Sequence, residues 1–287
     1  MKTALTLTLI YLFSFGSGEY EGMKVKNPHA LSIDMNGFIY IADTDNNRIL
    51  KVDQEGKLLR SVGGFGWGKE QFDTPLDICA SSLLDVFVAD YNNQRVERYD
   101  KDLNYISSLV PGDSWDANLI FGFPASVTIS KHGELIILDS ENSRLLKINS
   151  FGEPELSFGD FGSGEGKLDH PVQVELSQTD EVYVTDKSAG RIIVYDYFGN
   201  YIRQFGEQIL ESPTGIHIDD KNRIWVIDSD QNAVMTFDSN GTLIGRIDKI
   251  KSGDECFKNP KDVVISENKV FILDGTMIHS FEILQIK

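Results

Sequence analysis

Cysteine is scarce in this sequence, which contains two among its 287 residues. Cys79 lies in the strand-like segment DICA and is expected to be an ordinary buried thiol. Cys256 lies in the loop-like segment GDECFKNP. Two cysteines so far apart form neither a disulfide framework nor a CxxC metal site, so a disulfide-stapled domain and a zinc ribbon are excluded.

Helix-period apolar stripes are also lacking, and no long apolar segment follows the first 18 residues. Apolar residues instead come in short runs that are bounded by Gly, Asn and Asp, a pattern typical of strands and turns. The length suits a single large all-β domain. Because a membrane-spanning helix needs about 20 apolar residues, membrane insertion is not expected.

Positive charge is in the minority: 27 Lys and Arg residues face 44 Asp and Glu residues, which gives a net charge of −17. Nucleic-acid binding draws most of its affinity from phosphate neutralisation, so no nucleic-acid partner is expected. An acidic surface favours a cationic, peptidic or small-molecule partner. An RNA-binding alternative would require a basic patch, for which the available residues are Lys249, Lys251, Lys258 and Lys261.

Against these absences, one block of sequence is repeated six times. Each copy begins at a proline, and the six prolines are Pro28, Pro75, Pro124, Pro171, Pro213 and Pro260. In each copy a second strand-like run ends in aspartate, and these residues are Asp43, Asp90, Asp139, Asp186, Asp228 and Asp274. The Pro-to-Asp distance is 15 residues in the first five copies and 14 in the sixth. A constant block with variable links predicts a structural repeat.

Four copies place an arginine five residues after this aspartate, namely Arg48, Arg95, Arg144 and Arg191. The aspartate is predicted to accept hydrogen bonds from backbone N–H groups two or three residues on, as in an Asx turn. It is also predicted to pair with the arginine across the turn. A ring of six metal-binding carboxylates is the competing interpretation. Because a functional site usually breaks the symmetry of a repeat, turn chemistry is favoured.

Four short strands in units of 40–50 residues, with no helices between them, indicate a β-propeller. The first copy, NPHALSIDMNGFIYIADTDNNRILKVD, resembles an NHL repeat, and the resemblance covers residues 14–287. It implies an all-β, six-bladed β-propeller of four-stranded antiparallel blades, with the propeller domain at residues 19–287. Such propellers host lyases, RNA readers, ligand sensors and scaffolds, so the resemblance implies the fold more strongly than the function.

The N-terminal residues 1–18 have two interpretations. The sixth copy lacks a fourth strand, and a propeller that stays open leaves strand edges unpaired. Phe15-Gly16 precedes Pro28 by the same interval as Phe158-Gly159 precedes Pro171, so residues 9–16 are predicted to pair with residues 277–284 as the closing outer strand of blade six. Alternatively, MKTALTLTLIYLFSFGSG resembles a cleaved signal peptide, which predicts a secreted or extracytoplasmic protein. A fragment of a longer protein is a third possibility.

The residue after each repeated proline is predicted to lie near the mouth of the central channel. These residues are His29, Leu76, Ala125, Val172, Thr214 and Lys261. They differ from copy to copy, so the channel mouth is the best candidate for a ligand site. Trp67 and Trp115 lie in long links between copies and are candidates for an aromatic rim, with packing between blades as the alternative. The candidate binding residues are therefore His29, Trp67, Trp115, Thr214 and Lys261.

The positions of the histidines bear on whether the protein is an enzyme. Peptidyl-α-hydroxyglycine amidating lyases have similar repeats and place zinc-binding histidines directly after proline in three blades. Here only His29 occupies that position, whereas His170 precedes its proline and His217 comes four residues after Pro213. A catalytic zinc needs about three protein ligands. No metal, cofactor or catalytic residue is therefore predicted.

Together these observations predict a monomeric, non-catalytic binding propeller whose partner is a protein, a peptide or a small molecule. The alternative is a metal-assisted lyase or lactonase with its site at the central channel. Three or more His, Glu, Asp or Asn side chains that converge within ligand distance at the channel would favour the enzyme.

Overall fold

Six four-stranded antiparallel sheets make up the structure, a computed structural model that describes residues 8–16, 19–20, 23–160, 164–250 and 255–284. The inner strands of neighbouring blades contact one another around the whole ring. Helical structure in this part of the chain is limited to two 3-10 turns, Thr44–Asn46 and Ala117–Leu119. The predicted all-β, six-bladed propeller is therefore confirmed.

The strands of the first three blades run outward from the channel in chain order. Blade 1 contains Ala30–Ile33, Ile39–Asp43, Arg48–Val52 and Leu58–Gly63. Blade 2 contains Pro75–Cys79, Asp85–Asp90, Arg95–Asp100 and Tyr105–Leu109. Blade 3 contains Pro124–Ile129, Leu135–Asp139, Arg144–Ile148 and Pro154–Phe158.

The other three blades repeat this order, except that blade 6 takes its outer strand from the N-terminal region. Blade 4 contains Pro171–Leu176, Val182–Asp186, Arg191–Tyr195 and Tyr201–Phe205. Blade 5 contains Pro213–Ile218, Ile224–Asp228, Ala233–Phe237 and Leu243–Ile247. Blade 6 contains Pro260–Ser266, Lys269–Asp274, Met277–Leu284 and Thr8–Phe15. Glu19–Tyr20 and Met23–Lys24 pair as a separate short ribbon.

The hydrophobic core is divided among the interfaces between blades. Each of six apolar clusters is built from residues of two neighbouring blades. The second strands are buried along their whole length, as in Ile39–Asp43, because both faces of each sheet are covered by a neighbour. This explains why these strands read as continuous apolar runs rather than alternating ones.

The repeated aspartates fasten the links between blades. Five of the six carboxyl groups are fully buried, and Asp274 is nearly so. In blades 1 to 5 the carboxylate accepts the backbone N–H of the residue 17 positions earlier, in the preceding link, and in blade 6 that of the residue 16 positions earlier. The donors are Lys26, Asp73, Gly122, Asp169, Glu211 and Lys258.

The Asx-turn prediction is therefore wrong for most of these aspartates, because the main backbone donors precede the blade rather than follow the aspartate. Among the hydrogen bonds of the described residues, Asp228 alone of the six accepts a backbone N–H of its own turn, from Gln231 at 3.1 Å. In blades 1 to 3 the residue three positions on contributes its side-chain amide instead, as Asn46 does to Asp43. The carboxylate can reach the incoming link because that link runs directly past the end of the second strand.

The predicted Asp–Arg pairs are confirmed in the four blades that carry the arginine, with Nε–Oδ2 distances of 2.7–3.1 Å. In each of these blades the guanidinium also donates to at least one backbone carbonyl of the same link, as Arg95 does to Gly68 and Gln71. Each pair therefore holds both the N–H and the C=O groups of a link. In blade 6, His279 takes the arginine position, with Nε2 3.4 Å from Asp274.

The N-terminal strand closes the ring, which confirms the predicted pairing of residues 9–16 with 277–284. Thr8–Phe15 runs antiparallel to Met277–Leu284, from Thr8 opposite Leu284 to Phe15 opposite Ile278. The Tyr11 ring meets Phe281 edge-on, with centroids 5.8 Å apart. Phe15 packs against the cluster between blades 6 and 1. The strand thus contributes to the core as well as to the edge.

We expect Asp139→Ala to lower the free energy of unfolding by about 3 kcal/mol, because it leaves the Arg144 guanidinium, whose side chain is 11% exposed, without its carboxylate. The matched control is Asp238→Ala. Asp238 accepts N–H groups only within its own turn, and its loss should cost about 1 kcal/mol. Urea denaturation measures both. Equal losses for the two variants would contradict the role given to the repeated aspartates.

Removal of residues 1–16 is expected to lower the unfolding midpoint, because blade 6 then keeps three strands and exposes its third strand as an edge. Adding a synthetic peptide of residues 1–16 should restore part of the loss through mass action. Thermal unfolding of both chains provides the measurement. An unchanged midpoint, or a mature N-terminus near residue 19 in an intact-mass measurement, would argue against a retained closing strand.

Candidate functional site

A cavity of about 470 Å³ opens at the mouth of the central channel. Five of the six residues that follow a repeated proline line it, as the sequence predicted for their position. These residues are His29, Ala125, Val172, Thr214 and Lys261. Leu76 does not line the cavity, but its carbonyl oxygen lies 3.0 Å from His29 Nδ1. The mouth position of the repeat therefore converges in space although its members are more than 40 residues apart in the chain.

The turns between second and third strands add a second group of lining residues, which sequence reasoning missed. Lys187 directly follows Asp186 of blade 4, and Ser229 and Asp230 directly follow Asp228 of blade 5. The sequence signal that could have identified these residues is their position directly after a repeated aspartate, at the same end of each blade. They bring both a positive and a negative charge to the rim of the cavity.

The floor of the cavity consists of side chains two residues after the prolines, which sequence reasoning also missed. Asp77, Gln173 and Asp262 come from blades 2, 4 and 6. The Gln173 amide nitrogen donates to Asp77 Oδ1 and to Asp262 Oδ2, both at 3.4 Å. A smaller cavity of about 40 Å³, which Glu175 and His217 also line, extends further along the channel. Asp77 and Gln173 border both cavities, and Asp262 borders the larger one.

The same side chains connect neighbouring blades through backbone N–H groups. Asp77 accepts from Val127 N at 3.0 Å, and Gln173 Oε1 accepts from Ile216 N at 2.6 Å. Asp262 Oδ2 accepts from Leu31 N at 2.8 Å. Because Ile216 N holds the amide oxygen of Gln173, the amide nitrogen is directed toward the two carboxyl groups. The floor is thus rigidly placed by the ring itself.

The carboxyl groups of the floor are buried among neutral donors. Asp77 is 5% exposed and Asp262 is 2% exposed. Their partners are backbone N–H groups, the Ser126 hydroxyl and the Gln173 amide, and no described cation lies within ion-pair distance of either carboxyl. Burial raises the pKa of Asp262 to about 8 and raises that of Asp77. In the smaller cavity, burial and these two carboxyls hold the pKa of Glu175 well above its usual value.

The rim carries two ammonium groups, those of Lys187 and Lys261, that form no ion pair with a described carboxylate. Lys261 Nζ donates to Asn27 Oδ1 at 2.5 Å and to the Pro28 carbonyl at 2.9 Å, both neutral acceptors. Burial lowers the pKa of Lys261 and, together with the Lys261 charge, lowers the pKa of His29 to about 4. His29 is therefore a neutral imidazole near pH 7, and Nδ1 donates to the Leu76 carbonyl.

The structure does not bring Trp67 and Trp115 to this cavity. Trp67 is 73% exposed in the link between blades 1 and 2. Trp115 packs against Phe121, with ring centroids 6.1 Å apart, in the cluster between blades 2 and 3. Of the five candidate binding residues, His29, Thr214 and Lys261 therefore share one cavity, and the two tryptophans lie elsewhere.

The histidines of the channel region are also separated. His29 and His170 line the mouth cavity, whereas His217 lines the smaller cavity with Nδ1 3.7 Å from Glu175. Within residues 8–16, 19–20, 23–160, 164–250 and 255–284, no group of three or more His, Cys, Asp and Glu side chains is arranged to hold a metal ion. A search of the same residues finds no helix with the length and apolar character needed to cross a membrane.

Three comparisons relate the chain to known proteins. The protein brain tumor of Drosophila melanogaster is 29% identical over 126 residues, which cover 43% of this chain and 12% of that protein. The human NHL repeat-containing protein 3 is 28% identical over 193 residues, covering 64% of this chain and 54% of that protein. The chain thus spans less than two thirds of the length of either relative.

Among solved structures, selenomethionine-substituted virginiamycin B lyase from Staphylococcus aureus matches with a TM-score of 0.65 at 12% identity, covering 97% of this chain and 99% of that one. At this identity the similarity concerns the fold alone. A family model described as the NHL repeat matches residues 72–99, which span most of the first three strands of blade 2. With six four-stranded blades, an NHL-repeat match in blade 2 and relatives of the same repeat type, the chain is a six-bladed β-propeller that contains an NHL repeat.

Proposed function

We propose that the protein is a non-catalytic binding module that takes a small molecule or a peptide at the mouth of the central channel. The observation that carries the proposal is the cavity of about 470 Å³, which is lined by the residues that differ between blades. Its volume lies within the roughly 300–1,000 Å³ of known ligand pockets. The residues that all blades share, such as Asp43 and Asp90, are instead engaged in holding the links.

A binding role also fits the state of the polar groups in the cavity. The neutral His29 imidazole is hydrogen-bonded to a backbone carbonyl, and Thr214 donates to the Lys261 carbonyl at 3.3 Å. Neither residue is paired with a neighbouring acid or base in the way that activates a nucleophile. The cavity instead presents fixed charges and hydrogen-bonding groups on a rigid ring, an arrangement suited to ligand recognition. A single copy of the chain contains the whole cavity, so the proposed module acts as a monomer.

A metal-assisted lyase or lactonase at the same channel is the alternative. This alternative is suggested by the fold shared with virginiamycin B lyase. At 12% identity, however, the shared fold carries no information about this chain's chemistry. The two functions differ in their dependence on metal. Binding by the proposed module is unaffected by a chelator, whereas a metal-assisted site loses its ligand response when the metal is removed.

The test is a thermal-shift screen of the full chain against a library of small metabolites and short peptides, with and without EDTA. Thr214→Trp fills the cavity and is expected to abolish the shifts that wild type shows, because the indole occupies the ligand's volume. The matched control is Ile202→Trp on the outer strand of blade 4, where the side chain is 41% exposed and far from the channel. It should leave the shifts unchanged.

Two outcomes would contradict this proposal. One is that no compound shifts the wild-type midpoint. The other is that Thr214→Trp and Ile202→Trp respond to ligands alike. Shifts that appear only with a divalent metal and vanish with EDTA would favour the enzyme instead.

A further inference from the structure

We propose that the ligand of the mouth cavity is a zwitterion of amino-acid or dipeptide size, with its ammonium group on the floor and its carboxylate at the rim. This inference rests on the proposed binding function and specifies its ligand. It draws on charges at the two ends of one cavity that the protein itself leaves uncompensated.

The floor lacks a cation. Asp77 and Asp262 both accept a hydrogen bond from the Gln173 amide nitrogen, and every described donor to these two carboxyl groups is neutral. A buried carboxylate without a cationic partner is costly, and two of them together are more so. Lys261 does not supply the charge, because its ammonium donates to Asn27 Oδ1 and to the Pro28 carbonyl instead. A ligand ammonium that binds on the floor supplies the missing cation and thereby favours the ionised form of these carboxyl groups.

The two lysines of the rim lack an anionic partner. The Lys187 ammonium has no hydrogen-bond or ion-pair partner in the described part of the chain, and Lys261 meets only an amide and a carbonyl oxygen. A ligand carboxylate at the rim pairs with these lysines. Asp230 also lines the rim, and its charge disfavours a ligand that carries two anionic groups. The charges at the two ends of the cavity therefore match a molecule with one cation and one anion.

The apolar part of the cavity lining limits the rest of the ligand. Among the lining residues, Ala125 and Val172 present small apolar side chains. These side chains accommodate a short aliphatic group, whereas a polar group placed against them would lose its hydrogen bonds to water. L-alanyl-L-alanine has the required size, charges and side chains, so it is the appropriate probe.

The first experiment compares three probes by isothermal titration calorimetry with the full chain. These are L-alanyl-L-alanine, its N-acetyl derivative, which lacks the ammonium, and its C-terminal amide, which lacks the carboxylate. The free dipeptide is expected to bind roughly tenfold more tightly than either blocked form, which corresponds to about 1.4 kcal/mol. Equal affinities for all three, or no binding by the free dipeptide at millimolar concentration, would overturn the inference.

Variants test whether the ligand's ammonium group binds at the floor of the cavity and its carboxylate at the rim. Asp262→Asn keeps the shape of the side chain and should remove the preference for the free dipeptide over the N-acetyl form only. Lys187→Gln should remove the preference over the C-terminal amide only. Lys221→Gln, at an exposed turn of blade 5 outside the cavity, is the matched control and should change neither. Retention of both preferences in Asp262→Asn and Lys187→Gln would refute the assignment.

Proton release provides a readout that a merely structural role of Asp262 does not give. The charged groups facing this carboxyl are Asp77 from blade 2 and Glu175 from blade 4, and burial raises its pKa to about 8. An ammonium on the floor stabilises the ionised form, so binding near pH 7 should release protons. Titrations in buffers of different ionisation enthalpy measure this release, which should vanish with the N-acetyl probe. Absence of release with the free dipeptide would count against an ammonium at the floor.

Failure of this inference is distinguishable from failure of the proposed function. If a library compound without both charges binds wild type and not Thr214→Trp, the binding function holds and the zwitterion is wrong. If the dipeptide binds Thr214→Trp as well as it binds wild type, both the place and the ligand are wrong.

Discussion

A buried carboxylate at the end of each second strand determines where the links between blades run. It accepts a backbone N–H of the incoming link, and in four blades an arginine beside it binds the link's carbonyl oxygens. A link that crosses a blade edge would otherwise leave polar backbone groups buried and unpaired. The constant Pro-to-Asp spacing follows from this contact, because the link must reach the aspartate just before the inner strand begins. Insertions are tolerated only where they do not disturb it.

With the links held in place, the inner strands converge on the channel axis and are joined there by a second set of hydrogen bonds. Side chains of Asp77, Gln173 and Asp262 bind the N–H groups of the next blade around the ring. Gly215 lies in the same belt, where an added Cβ would stand 2.6 Å from Asp262 Oδ1, so only glycine permits this approach. The floor of the candidate site is therefore also part of the seam between blades, which gives it a rigid geometry.

Much of this architecture was accessible from the sequence. Six in-phase copies predicted the propeller, and the interval from Phe15-Gly16 to Pro28 predicted the closing strand. The residues after the prolines were correctly expected near the channel mouth. The direction of the aspartate hydrogen bonds was not, because an Asx turn and a clamp on a distant link have the same local sequence. Trp67 and Trp115 were expected at a rim that the structure forms from other residues.

What the sequence by itself determined is the repeat, its spacing and hence the six blades, because these depend on local patterns within each block of 40–50 residues. Only the tertiary structure decided which side chains meet on the axis. Gln173 is 96 residues from Asp77 and 89 residues from Asp262, and all three look like ordinary strand residues in the sequence. The ring nevertheless brings both carboxyl groups to the Gln173 amide. The raised pKa values of Asp77 and Asp262 likewise arise from burial within the assembled ring, a property that no single block contains.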